Sequence, residues 1–533
     1  MQIQTYLLKV YPITGCIARF FRYFCIFSNL KSRLHQLGFA FFLRPPYNAM
    51  EQHISLTVRR SATALYRRNM KGGTMYKINF DRPQNIHFIG IGGISMSGLA
   101  EVLLSKGFTV SGSDSADSEL LAQLRAKGAH VVIGQAEENI TPDLDVIVYT
   151  AAIHPDNPEF AAAVRSEIPM LTRAELLGEM MQNYKVSVAV AGTHCKTTTT
   201  SMASHVMLCA DMDPTISVGG ILPAIGGNIR VGKSENFITE ACEYTNSYHS
   251  MIPTLGIILN VDEDHLDFFK DLDDIAASFH KFAAQIPASG VLVISKDTKK
   301  YDVVTDGISC GLITTSLKAD ADYTVSDITY DELGCASFVA YERGEKLGTF
   351  TLQVPGEHNV ANALAVIAAS RHLGIDADTI AKGLQDFAGA DRRFEYKGKM
   401  NGTTIIDDYA HHPAEIRATL SAAEKYPHRD LWVVFQPHTY TRTKALLTEF
   451  GEALHTTDHV VLAKIYPARE QDIYGVSSQD VADEVKKFGT DVVYIDNFSD
   501  ICDYLYSHCV EGDLLITMGA GNVTTIGPSL LSR

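Results

Sequence analysis

The run Gly192-Thr193-His194-Cys195-Lys196-Thr197 closes an apolar stretch, VSVAVAG, and opens a Thr-rich segment with helical character. Glycine, lysine and threonine at a strand-to-helix turn suit phosphate chemistry. The lysine can reach β- and γ-phosphates, and the Thr197 hydroxyl can sit on Mg²⁺. The spacing is shorter than in the common Walker loop. Two acidic groups strengthen the reading. Glu240 and Glu243 follow the FIT run, and Asp262, Glu263, Asp264 and His265 follow LGIILN at 255–260. In open α/β sheets, ligands collect at the carboxyl ends of such strands. Carboxylate and imidazole groups beside a triphosphate suit Mg²⁺ held partly through phosphate oxygens. An acidic cluster on its own would equally be a solvated turn.

A second glycine-rich turn, Gly90-Ile91-Gly92-Gly93-Ile94-Ser95-Met96-Ser97-Gly98, also lies between a strand and a helix. Glycines there let the backbone approach a diphosphate while the helix N-terminus supplies free N–H groups. Ser95 stands where a dinucleotide fingerprint needs glycine, so a nicotinamide site is disfavoured. Asp114, after the next strand, could meet a ribose. A tight turn without a ligand is the plain alternative.

The elements that must position these loops follow a β-α rhythm, which predicts βαβ units and parallel sheets. Apolar runs at 145–150, 255–261 and 291–295 continue the first two blocks, and runs at 403–410, 431–438, 460–466, 492–496 and 514–522 form a third. Between 320 and 355 the strands lie close together without a helix, which predicts an antiparallel patch. A helix is predicted from Asn359 to Leu373. The expected fold class is α/β, with three consecutive α/β domains. These are a Rossmann-like domain at 75–183, a central phosphate-loop domain at 184–390 and a Rossmann-like C-terminal domain at 391–533. Residues 1–74 form an extension.

That extension holds eleven Lys/Arg and one acid, against a net charge of −16 for all 533 residues. The remainder is therefore strongly acidic and would repel a phosphate backbone, so no nucleic-acid partner is expected. Arg19, Arg22, Lys31 and Arg33 interrupt the aromatic stretch 11–43 too often for a signal peptide or membrane helix. A basic, aromatic targeting segment is one reading of it. The other is a misplaced start codon, with Lys71-Gly72-Gly73-Thr74 encoding a purine-rich ribosome-binding sequence ahead of a natural start at Met75. Nine cysteines without a C-x-x-C pair fit a reducing compartment. The expected location is cytoplasmic, without stable membrane insertion.

Ten motifs in order, including IHFIGIGGISMSG, AGTHCKTTTTSM, EACEY, NVDEDHLDFF, PGEHNVANALA, GADRRFE, DDYAHHP and FQPHTYTRT, make the chain resemble the Mur ligase family from about Ile86 to Gly527. The resemblance implies an ADP-forming amide ligase of peptidoglycan precursor synthesis, with ATP and Mg²⁺ as cofactors and UDP-N-acetylmuramate and L-alanine as substrates. It implies that Gly90, Gly92, Gly93, Ser97 and Asp114 hold the uridine nucleotide. Gly192, Thr193, His194, Cys195, Lys196, Thr197 and Thr198 would hold ATP phosphates, and Thr197, Glu243 and His265 the metal. His358, Asn359 and Asn362 match a motif on the adenine side, although Asn359 would equally cap the following helix. Lys196, Arg392, His412, His438 and Arg442 are the implied catalytic residues, with Asp408 approaching ATP from the third domain. His411 has a structural and a catalytic reading.

Two positions depart from the family pattern. Cys195 stands where glycine is usual, and Thr439 where arginine is frequent. A side chain at Cys195 costs energy if the backbone there needs positive φ. Its thiol, at a helix N-terminus beside Lys196, would be either a reactive thiolate or a shielded, tolerated sulfur. A phosphate-loop ATPase of another kind, a nicotinamide oxidoreductase and a regulatory binding protein are the competing functions. The first would leave domains one and three without a shared ligand, the second would leave Lys196 unexplained, and the third, derived from a ligase, stays open through Cys195.

Overall fold

In the computed structural model, residues 76–150, 152–265, 268–468 and 470–533 are described. The expectations for the extension and the start at Met75 fall outside them. Among the described residues three sheets form, and no helix is long and apolar enough to cross a membrane.

The first sheet contains β1 (Asn85–Ile89), β2 (Thr109–Asp114), β3 (His130–Ile133), β4 (Val146–Tyr149) and β5 (Met170–Thr172), in the order β3-β2-β1-β4-β5. All its pairings are parallel. Strand order reverses between β1 and β4, the position where such sheets open a crevice for ligands. The glycine turn follows β1 at that reversal. Ile86, Phe88 and Ile89 are completely buried, as expected for a strand covered on both faces.

The second sheet has ten strands: β6 (Val186–Ala191), β7 (Thr215–Leu222), β8 (Gly227–Arg230), β9 (Asn236–Ala241), β10 (Leu255–Ile258), β11 (Val291–Ser295), β12 (Gly311–Ser316), β13 (Tyr323–Tyr330), β14 (Cys335–Glu342) and β15 (Glu345–Pro355). Their order is β15-β14-β13-β12-β11-β10-β6-β9-β7-β8. The core from β12 to β7 is parallel, and β13-β14-β15 form the antiparallel patch. A second antiparallel pair, β7–β8, lies at the opposite edge. Strand β6 lies between β10 and β9, so the phosphate loop emerges where the acidic ends of both neighbours also emerge.

The third sheet contains β16 (Glu395–Met400), β17 (Thr403–Asp408), β18 (Leu431–Phe435), β19 (His459–Leu462), β20 (Asp491–Tyr494) and β21 (Leu514–Met518), ordered β16-β17-β21-β18-β19-β20. Only the edge pair β16–β17 is antiparallel. Buried side chains cover both faces, with Val433, Phe435 and Ile516 on one and Trp432, Val434 and Leu515 on the other.

The lobes pack closely. A Cβ placed on Gly178 of the helix Arg173–Met181 would fall 1.9 Å from the Ser250 carbonyl oxygen of the middle lobe. The β7–β8 hairpin reaches all three lobes. A Cβ on Gly98 would stand 3.2 Å from Ile229 Cβ, and one on Gly220 would stand 3.2 Å from Thr197 Cγ2. The Ile221 carbonyl accepts the Asp391 N–H at 3.1 Å, four residues before the third sheet begins at Glu395.

Candidate active site

The glycine turn at 90–98 is held by its own sheet. The Ser113 carbonyl accepts from Gly90 N at 2.9 Å and Ile91 N at 3.0 Å. Ser113 Oγ donates at 2.5 Å to Glu159, which lies 2.8 Å from His87 Nε2, and all three side chains are buried. Glu159 belongs to no motif, and His87 lies inside IHFIGIGGISMSG but was given no role. Asp114 Oδ2 accepts the Gly92 N–H at 2.8 Å, so its carboxylate braces the turn. A Cβ at Gly92 would stand 2.8 Å from that oxygen. The helix Ile94–Ser105 starts at Gly93 without a side-chain cap, leaving its first N–H groups open to an anion. Ser97, also buried, donates to the Ile94 carbonyl at 2.9 Å.

In the phosphate loop, Asn260 accepts the His194 N–H on Oδ1 at 2.8 Å and donates from Nδ2 to the His194 carbonyl at 3.3 Å. Thr193 Oγ1 accepts the Asp262 N–H at 2.9 Å. Cys195 occupies the cap position of helix Lys196–Cys209 at φ 67°, again without a side-chain cap. The backbone there is left-handed, the conformation glycine adopts without strain. Burial pushes the Cys195 thiol up, in spite of the nearby Arg393 and Lys196, which favours the shielded-sulfur reading over the reactive thiolate.

Lys196 Nζ turns back onto its own loop, donating to the carbonyls of Gly192 at 2.7 Å and Thr193 at 3.0 Å and to Glu243 Oε1 at 3.1 Å. Glu243 Oε2 lies 2.9 Å away, with Glu243 only 2% exposed. Burial would depress the lysine, but Glu243 outweighs it and holds the ammonium above its ordinary range. Burial would likewise raise Glu243, and Lys196 with His265 keeps it ionised. His265 Nε2 lies 3.4 Å from Glu243 Oε1, under the Tyr244 ring at 4.5 Å. Glu240 accepts the Gly219 N–H at 2.5 Å, on the hairpin side. Thr197 is buried and Thr198 half-buried. Among the described residues, no cluster of three or more His, Cys, Asp or Glu side chains could hold a metal alone.

Beside the loop lies a cleft of about 340 Å³, lined among others by Cys195, Asn260, Leu317, His358, Ala361 and Asn362. Burial lowers His358 to about 4, leaving a neutral ring. The following helix runs Glu357–His372 and is capped by Gly356 at φ 97°, so Asn359 is inside it and is not its cap. Asn359 Nδ2 donates to the Pro355 carbonyl at 2.8 Å, and Asn362 Nδ2 donates to Asn359 Oδ1 at 3.0 Å. Asn260 and Leu317 were not anticipated: Asn260 opens the NVDEDHLDFF motif but was given no role, and Leu317 belongs to no motif.

The third lobe brings its groups to the same face. Arg392 is committed to its own lobe, pairing with buried Asp407 at 3.2 Å and donating to the carbonyls of Gly519 at 2.5 Å and Gly521 at 3.1 Å. Its neighbour Arg393 is the arginine whose charge acts on Cys195 and Asp408. Both guanidinium groups flank the Tyr409 ring. Asp408 is likewise occupied at home, accepting from Phe394 N and Ala410 N at 2.8 Å and from Thr419 Oγ1 at 3.2 Å. Burial raises its carboxyl.

His412 caps the helix Pro413–Ala423 through Nδ1, and burial lowers it to about 4. Its ring centre lies 5.7 Å from that of His194. His411 Nδ1 sits 3.0 Å from the Tyr409 carbonyl and 3.1 Å from Glu415 Oε2, a structural placement. Burial also lowers His438 to about 4. Arg442 Nη1 lies 3.4 Å from His438 Nδ1, and Arg442 Nη2 lies 3.8 Å from Asp264 Oδ1 in the middle lobe. An arginine only donates, so the proton of neutral His438 is on Nε2. Thr439 caps the helix Tyr440–Ala445 at φ 66°.

Comparison with known proteins covers the same three blocks. The descriptions "Mur ligase family, catalytic domain", "Mur ligase middle domain" and "Mur ligase, glutamate ligase domain" match residues 85–185, 190–370 and 392–521. The UDP-N-acetylmuramate--L-alanine ligase of Lachnospira eligens is 59% identical over 458 residues, 86% of this chain and 100% of that protein. That of Agathobacter rectalis is 57% identical over 459 residues, again 86% and 100%. The crystal structure of a UDP-N-acetylmuramate-alanine ligase from Thermotoga maritima superposes with a TM-score of 0.70 at 28% identity, covering 84% of this chain and 98% of that one. Two glycine-containing strand-to-helix turns, a lysine paired with an acidic strand end at one of them, and this agreement along all three sheets lead to one conclusion: the chain belongs to the Mur ligase family.

Proposed function

We propose that the chain joins L-alanine to the lactyl carboxylate of UDP-N-acetylmuramate, with ATP converted to ADP and phosphate, in peptidoglycan precursor synthesis. The observation that carries this reading is the meeting of groups from the middle and third lobes at one phosphate loop, His194 facing Glu415 and Asp264 facing Arg442, beside the Lys196–Glu243 pair of the middle lobe. The high identity to ligases of this specificity, over their full length, supports the choice of substrates.

A carboxylate is a poor electrophile at neutral pH. Bound ATP supplies the phosphoryl group that makes one of its oxygens a leaving group, and Mg²⁺ offsets the charge on the phosphate oxygens. The residues fit these groups. The uncapped helix start at Lys196 offers N–H donors, and the adjoining cleft is the right size and polarity for a nucleoside. Thr197, Glu243 and His265 provide an incomplete set of metal donors, the pattern of a cation that keeps waters and phosphate oxygens.

In this reading the turn at Gly90, Gly92 and Gly93 holds the uridine diphosphate, with Asp114 bracing it and Ser97 securing the helix start. Lys196 stays charged through its pairing with Glu243 and exchanges part of that contact for phosphate oxygens. Its role is electrostatic and not covalent. Arg393 takes the phosphate-facing part of the boundary pair, and Arg392 anchors it to β17. His412 is neutral and weakly basic at pH 7, so it orients by hydrogen bonding and does not hold a proton. His438 and Arg442 receive the amino-acid carboxylate. Closure of lobes 75–183, 184–390 and 391–533 around these groups excludes water from the acyl phosphate.

The test is ADP release by purified protein with each substrate omitted in turn, and with glycine and L-serine replacing L-alanine. Release must require both UDP-N-acetylmuramate and an amino acid, with L-alanine preferred. ADP release independent of either would refute the reading.

A further inference from the structure

Glu415 divides its carboxylate between two lobes. Oε2 is used at home, accepting the N–H groups of His411 at 3.1 Å and His412 at 3.3 Å and lying 3.1 Å from His411 Nδ1. Oε1 points across to the phosphate loop, 3.6 Å from His194 Nδ1. Asn260 grips the His194 backbone on both its N–H and its carbonyl, so a pull on the ring is carried into the loop. Both its ring nitrogens are shut off from solvent without a hydrogen-bond partner. The second, Nε2, lies 4.0 Å from Asp262 Oδ2. A buried imidazole just beyond reach of two carboxylates is an unsatisfied group that a small approach of the third lobe would satisfy.

We propose that His194 and Glu415 form a cross-lobe positioning pair, in which closure of the third lobe completes the His194–Glu415 hydrogen bond and sets the phosphate loop for phosphoryl transfer. This rests on the ligase reading above. The pair does not touch the reacting atoms. It converts the position of the helix Pro413–Ala423, and with it the amino-acid lobe, into the position of the loop that carries Lys196. Asp262, Asp264, Lys196 and His412 surround the ring, so the contact forms in a charged, water-poor space where a hydrogen bond is strong.

The experiment is a double-mutant cycle on the full chain: His194→Ala, Glu415→Ala and the double variant, with Glu415→Gln as the conservative change. ADP release is measured with each substrate varied. Each single variant should lose at least tenfold in kcat, and the double should lose no more than the worse single. KM for UDP-N-acetylmuramate should stay within twofold. Glu415→Gln should recover most of the rate, because the amide can keep the helix N–H groups and still reach the imidazole. Losses that multiply in the double variant would overturn the proposal, as would a loss in Glu415→Ala with none in His194→Ala, which would reduce Glu415 to a helix cap. If Glu415→Ala does not fold, Glu415→Asp, whose shorter carboxylate keeps the helix N–H groups but falls short of His194, replaces it in the cycle: it should lose at least tenfold in kcat with no further loss on adding His194→Ala, and a parent-like rate or multiplied losses would overturn the proposal. Failure of the parent protein to couple ADP release to both substrates would instead refute the ligase reading.

Discussion

Lys196 Nζ and Glu243 Oε2 stand 2.9 Å apart with the carboxylate almost wholly buried, and each favours the charged form of the other against the cost of burial. Lys196→Ala should therefore have two separable effects. ADP release should fall at least about 100-fold, the scale of losing one electrostatic stabiliser. Stability should fall by about 3 kcal/mol, because Glu243 is left buried without its partner. Chemical denaturation and the coupled assay measure the two. Turnover near the parent rate would refute the role given to Lys196.

His412 is held at about 4, below the ordinary histidine value near 6.5. Below pH 6.5 the unfolded chain binds a proton that the folded chain refuses, so stability is lost as pH falls from about 6.5 toward 4. The single-site contribution is at most about 3 kcal/mol. His412→Asn keeps a good cap and removes the titration. Its melting temperature should decline less than the parent's between pH 6.5 and 4.5, and the two should converge at pH 8. Parallel curves would show that His412 is not a source of the acid sensitivity.

Cys195 sits at φ 67°, and its sulfur is pushed toward the neutral thiol. Cys195→Gly should stabilise the protein by about 1 kcal/mol, the order of relief for a left-handed residue. KM for ATP should not rise. In the parent, iodoacetamide at pH 7.5 should label Cys195 more slowly than free cysteine, with or without MgATP. Fast labelling that MgATP suppresses would restore the thiolate reading.

The adjacent arginines should separate. Arg392→Ala removes the partner of buried Asp407 and should cost about 3 kcal/mol of stability. Arg393→Ala should leave stability within about 1 kcal/mol of the parent, since its side chain is not the one paired with Asp407, and should lower ADP release by tenfold or more. Melts and kinetics of the two variants, side by side, test the assignment. The reverse pattern would return the phosphate role to Arg392.

What the sequence made legible is what is local. A strand, a glycine turn and a helix at Asn85–Ser105 and again at Val186–Cys209 follow from contiguous residues, and so does the antiparallel patch Tyr323–Pro355. Less was legible where pairing is long-range or the signal is broken. The β7 strand contains Gly219 and Gly220, which interrupt its apolar pattern although it pairs along β9. Arg392 and Arg393 are indistinguishable as neighbours in a motif, because only the fold decides which one Asp407 takes. Glu415 reads as an ordinary third residue of a helix, and its second oxygen acquires meaning only when the phosphate loop arrives from a distant part of the chain. Of the two readings of Asn359, the helix cap fails because Gly356 with φ 97° starts the helix earlier.

The β7–β8 hairpin, wedged against Gly98, Thr197 and Asp391, makes the three lobes poor cassettes for exchange. A chimera that imports another enzyme's nucleotide-sugar module would have to bring a small residue opposite Ile229 or a trimmed hairpin with it. Recombination within such enzymes is therefore constrained at this ribbon more than at the linkers that join the modules.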